Sequence, residues 1–176
     1  MNRLRWALFC ILLGLLVASS SAQDEVKAKK KIPPRFGYPV DEMYYPQDSP
    51  KKAMKSIAHA LDRKKVNYLL AHLTDPAYVD YWVDRIKAGY SQGKEEAKIL
   101  MAFDHLVRRT EQYFEDDSLL LKDLRIFANE KEADWEEKDD LAIGTVKTIP
   151  GRKVFLRRID ERWFLKNDQM EDTLKK

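Results

Sequence analysis

"GRKVFLRRIDERWFLKND", residues 151 to 168, is the stretch on which the fold turns. Asp160-Glu161 divides it into two runs whose side chains alternate with period two, the pattern of two strands joined by a tight loop. A symmetric loop sets Ile159 opposite Arg162, Arg158 opposite Trp163 and Leu156 opposite Leu165. Val154, Leu156, Arg158, Trp163 and Leu165 then share one side, the predicted core face, with Arg158 lying across Trp163. Lys153, Phe155, Arg157, Ile159, Arg162, Phe164 and Lys166 share the other side, predicted as a solvated face on which long basic stems lie along aromatic rings. Asp-Glu is not the Asn-Gly type of pair that a type I′ turn favours, and a bulge there would exchange the two faces of one strand.

The alternation extends upstream to about Glu132, with breaks at Asp139-Asp140 and Pro150-Gly151, which predicts four strands in an antiparallel meander. Before it the period is helical. Ser49-Pro50 opens the first helix, with Ala53, Met54, Ile57, Ala58 and Leu61 as its apolar stripe. Val66, Leu69, Leu70 and Leu73 mark a short second helix ending at Thr74-Asp75-Pro76, and Val79, Trp82, Val83 and Ile86 a third. A long fourth helix runs from about 94 to 115, and a fifth, which Ser118 can cap, carries Leu120, Leu121, Leu124 and Phe127. Helices first and a connected sheet last is an α+β plan, with N-terminal helices packed on a C-terminal curved antiparallel sheet.

The N-terminus has the three parts of a secretory signal: Arg3 and Arg5, an apolar run of 13 residues from Trp6 to Ala18, and small residues ending at Ala22. The run falls short of the roughly 20 residues that a membrane-spanning helix needs, so cleavage before Gln23 and export to periplasm or medium is the reading, with an uncleaved anchor as the alternative. Cys10, the one cysteine, leaves with the signal, and the core must hold the mature domain without disulfides. Residues 23–48 contain four of the seven prolines and the cluster Lys27 to Lys31, which predicts a linker. Its later aromatics, Phe36, Tyr38, Tyr44 and Tyr45, argue that the second half lies down on a domain spanning 49–168, followed by a polar tail at 169–176.

The chain has 32 Lys and Arg against 29 Asp and Glu, and losing Arg3 and Arg5 leaves 30 against 29. Such a balance weighs against a nucleic-acid partner, although cations interleaved with rings also occur on nucleic-acid platforms. Charge is uneven, with 12 acids and 4 bases between 111 and 140. His59, His72 and His105 lie 13 and 33 residues apart, outside any metal-ligand spacing, and all three are predicted as surface residues. No catalytic residue, metal site or cofactor motif is assigned: GxSxG, HExxH and a Gly-rich phosphate loop are missing from the sequence. The remaining candidates are aromatic. Trp82, Phe103 and Trp163, with Arg158 as a polar anchor, are taken as the lining of a pocket, core filling being the other reading.

A Pro-initiated helix followed by a short one, in "SPKKAMKSIAHALDRKKVNYLLAHLTDPAYVDYW", and a last strand in "IDERWFLKND" resemble the nuclear-transport-factor-two-like superfamily, the SnoaL-like cone. The chain is similar to small exported bacterial members that have a proline-rich lead-in and no assigned activity. The resemblance covers about residues 49–168 and implies a bent sheet closed by helices over a cavity, used for acid–base work in some members and for binding or pairing in others. No family dyad matches a position here, so no catalytic residue is carried over. The expectation is a non-enzymatic exported domain that binds a small apolar ligand or a protein partner in or beside its cone, with homodimer pairing open. The alternative is a cofactor-free isomerase or dehydratase with an inward acid.

Overall fold

Ser49 caps the first helix, α1 (Pro50–Asp62): its hydroxyl accepts from the Lys52 N–H at 3.3 Å, and Pro50 sits at the first turn, where no N–H is required. A computed structural model describes residues 32–129 and 131–166; the signal read in 1–22, the lysine-rich start of the lead-in and the tail at 169–176 lie outside the described residues. After α1 come α2 (Val66–Tyr68), which runs straight on into a π-helical turn (Leu69–Leu73), then α3 (Pro76–Lys87), α4 (Glu95–Asp116) and α5 (Ser118–Ala128). Asp75 caps α3, its carboxylate accepting from the Ala77 N–H at 2.9 Å. The fifth helix departs slightly from expectation. Asp117, not Ser118, is its cap, accepting from the Leu120 N–H at 3.0 Å, and its negative charge also suits the positive end of the helix dipole.

The strands β1 (Ala133–Lys138), β2 (Leu141–Val146), β3 (Lys153–Ile159) and β4 (Arg162–Leu165) form one antiparallel sheet in chain order. Ile159 pairs with Arg162, Arg158 with Trp163 and Leu156 with Leu165, the register of a two-residue loop. Asp160 and Glu161 accept φ of 48° and 64° to make that loop, a left-handed geometry that costs any residue with a Cβ about 1 kcal/mol or more. No bulge intervenes, and the faces sort as the alternation requires. Val154, Leu156 and Trp163 are buried and Leu165 is half-buried, joined on the same face by Ala133, Ala142 and Val146. Gly144 also lies there. A Cβ on it would come within 2.9 Å of the Trp135 indole, which occupies the space directly across the strand pair.

Two cores result. One fills the space between the sheet and the helices α1 and α5, with Met54, Ile57, Leu124, Phe127, Leu156 and Trp163; the other lies around α3 and α4, with Val79, Val83, Ala102, Phe103 and Leu106. The segment 66–73 belongs to both. Tyr68, Leu69 and Leu73 face the first, while Val66, Leu70 and Ala71 face the second, so this short helix is covered all round except at the half-buried Asn67. Each aliphatic side chain so buried contributes about 1.5–3 kcal/mol relative to exposure.

The outer edge of β4 does not stay open. The Trp163 N–H donates to the Gln47 main-chain oxygen at 2.9 Å, the Gln47 Nε2 donates to the Trp163 oxygen at 2.8 Å, and the Asp75 N–H donates to the Leu165 oxygen at 2.9 Å. This corrects the reading of the second sheet face as a solvated, half-exposed one at Phe164, which is buried, while Phe155, Ile159 and Arg162 are half-buried as that reading expects. It also shows where the packed body begins. The second half of the lead-in lies on the domain: the Phe36 ring stacks on Phe103 with centroids 4.2 Å apart, and Tyr45 and Gln47 are buried.

Candidate functional site

The four residues taken from the sequence as pocket lining form two pairs that the fold keeps apart. The Arg158 guanidinium lies 5.6 Å from the Trp163 ring, as the register requires, and is held by Asp140. Trp82 and Phe103 belong to the other core, Trp82 at its margin and Phe103 inside it. Trp163 and Phe103 are only 2% and 1% exposed, so neither offers a ligand a surface. Among the described residues, shallow depressions of about 400 and 360 Å³ lie along α4 at Tyr90, Met101 and His105 and between Met43-Tyr44 and α1; none of the four residues lines either.

Polar chemistry gathers elsewhere, beneath the lead-in where it crosses from Arg35 to Asp48. A tight turn, Arg35 to Tyr38, starts the crossing, with Phe36 and Gly37 at φ of 51° and 85° and Arg35 paired with Asp80. The Tyr38 carbonyl then meets the Nε2 of His72 at 2.8 Å. A carbonyl only accepts, so Nε2 carries the proton. The Asp41 N–H donates to the Tyr68 hydroxyl at 2.9 Å, and the Ser56 hydroxyl donates to the Pro46 oxygen at 2.8 Å. Gln47 closes the crossing: its amide nitrogen serves Trp163 as described, and its amide oxygen accepts from the Arg162 guanidinium. Tyr45 stacks on Tyr68 with centroids 4.2 Å apart, and Tyr68 is tilted against His72 at 5.0 Å.

Burial dominates the electrostatics of this cluster. It lowers the affinity of His72 for a proton below the ordinary value, despite the opposing hydrogen bond to Tyr38, and Arg162 and Arg35 nearby act in the same direction. Burial likewise raises the Tyr68 phenol and lowers the Arg162 guanidinium, with Glu42 partly restoring the latter. A neutral imidazole, a protonated phenol and a half-buried guanidinium could in principle serve acid–base chemistry. Here the His72 Nε2 proton, the Tyr68 oxygen and both ends of the Gln47 amide are engaged with the chain itself. The arrangement holds residues 38–47 down.

His72, 2% exposed, corrects the expectation that all three histidines are surface residues. The physical reason is the double contact of segment 66–73: with cores on both sides, only Asn67 keeps part of its surface in solvent. A signal was present. Between Val66 and Leu73 only Asn67 and His72 interrupt an apolar run that covers the whole circumference, and such a helix is an interior one. No comparable pattern marks Gln47 or Arg162. Among the described residues no group of three or more His, Cys, Asp or Glu is placed to hold a metal ion, and no helix is long and apolar enough to cross a membrane. No protein-family model, curated protein or solved structure matches this chain.

Proposed function

We propose that the chain is an exported, non-enzymatic binding domain of the cone-like α+β plan typical of the nuclear-transport-factor-two-like superfamily, and that it meets a protein partner on its outer surface. The observation that carries this reading is the filled interior. Val154, Leu156, Trp163 and Phe127 close the space between sheet and helices, and the buried polar groups beside it, His72, Tyr68 and Asp75, are engaged by main chain or by a helix cap. An acid–base enzyme of this plan needs an unengaged acid or base at the floor of an open cavity. Export rests on the N-terminal pattern alone.

Two measurements test it. Protein secreted from a host carrying the full chain should have Gln23 as its first residue by mass; a retained N-terminus would overturn export with cleavage. In titrations with apolar fluorescent probes, the Trp163 indole NMR resonance should stay in place, whereas Leu156→Ala, which opens a cavity beneath the sheet, should make it respond. A saturable shift of Trp163 in the unaltered protein would establish an interior ligand and remove the basis of the reading.

A further inference from the structure

The two edges of the sheet are treated differently. β4 is closed by Gln47 and Asp75, whereas β1 pairs with β2 alone, and among the described residues no main-chain bond from outside the sheet reaches 134–138. Such a row of unpaired N–H and C=O groups is a template for another strand. Its side chains narrow the choice of strand. Asp134, Glu136 and Glu137 are exposed, Asp134 and Glu136 on one sheet face and Glu137 on the other, and Asp139-Asp140 follow at the end of the strand.

A second copy fits this edge less well than a basic strand does. In an antiparallel β1-to-β1 pair, setting residue 135 opposite 136 brings Asp134 against Glu137, setting 136 opposite 137 brings Glu136 against Glu137, and centring on 136 brings Glu136 against itself, offset there by Asp134 facing Lys138. Like charges directly opposite oppose pairing, while lysine or arginine in the same places would be drawn in. Trp135, half-buried on the face that it shares with Glu137 and opposite that of Asp134 and Glu136, gives the stem of a basic residue drawn to Glu137 an apolar surface to lie on.

We infer that the β1 edge is the docking surface for the proposed partner, and that the partner presents an extended segment with basic residues at alternate positions, which adds as a fifth strand. This rests on the reading of a binding domain and supplies its partner class.

The probe is a synthetic nine-residue peptide alternating lysine with threonine, titrated into the folded domain and followed by NMR shifts and amide exchange. The expected result is shift changes confined to 133–138, exchange of the outward-facing β1 amides slowed by about tenfold or more, and binding that weakens with added salt. Asp134→Lys with Glu136→Lys, both exposed and remote from the core, should weaken binding about tenfold and restore it for a glutamate–threonine peptide. Equal binding of lysine and glutamate peptides by the unaltered domain, shifts centred away from β1, or no protection of its amides would each overturn the inference. Self-association through β1 would do the same. None of these outcomes bears on export or on the filled interior, whose tests are separate.

Discussion

Gln47→Ala should be one of the most damaging single changes outside the two cores. Gln47 is 4% exposed, and its side chain joins two groups 115 and 116 residues away in sequence, Arg162 and the Trp163 carbonyl. Truncation leaves that carbonyl without its donor on a buried strand edge, at about 1–3 kcal/mol. Arg162 loses a charge-assisted bond that would be worth about 1.5–3 kcal/mol if fully buried, a figure roughly halved for a half-exposed guanidinium. The sum is about 3 kcal/mol, a large part of the 5–15 kcal/mol typical of a domain of this size, and it corresponds to a fall in Tm of about 10 °C. Urea unfolding gives the first number. Amide exchange gives the mechanism: the Trp163 N–H donates to the Gln47 main chain, which the substitution leaves in place, so its exchange should accelerate only if residues 38–47 lift from β4. A loss under 1 kcal/mol, or a full loss with Trp163 exchange unchanged relative to global opening, would refute the account of the lead-in as a strap held by its buried amide.

Replacing Asp160-Glu161 by Asn-Gly should stabilise the domain by about 1 kcal/mol, since both positions have positive φ; destabilisation in a thermal melt would mean that Asp160 or Glu161 makes a contact outweighing the strain. Gly144→Ala should cost about 1–3 kcal/mol and shift Trp135 fluorescence, because the new methyl meets the indole at 2.9 Å. Stability should also depend on His72. Because burial lowers its proton affinity, the unfolded chain takes up a proton near the ordinary value of 6.5 while the folded one resists, so the contribution is complete above that value and is lost as pH falls through it toward the lower folded value. Urea midpoints between pH 7.5 and 5 should show this slope in the unaltered protein and lose it in His72→Gln; an equal slope in both would assign it to another group.

Local pattern was enough for the elements. A 3.6-residue period with Ser49-Pro50 and Asp75-Pro76 at its starts marked helices, and period-two alternation with breaks at 139–140, 150–151 and 160–161 marked the meander, including the Arg158–Trp163 pair. These are short-range properties: capping, turn geometry and the alternation of Cβ direction act within a few residues, so the sequence carries them on its face. The polar centre was of another kind. Gln47 and Arg162 look like ordinary surface residues until α1 and the sheet bring them together across more than a hundred residues, and His72 is buried because two cores form on opposite sides of one short helix. Which face of β4 would be covered, and which sheet edge the described chain would close and which leave unpaired, were likewise decided only when distant segments met, because an unpaired backbone group has no signature in its own side chain.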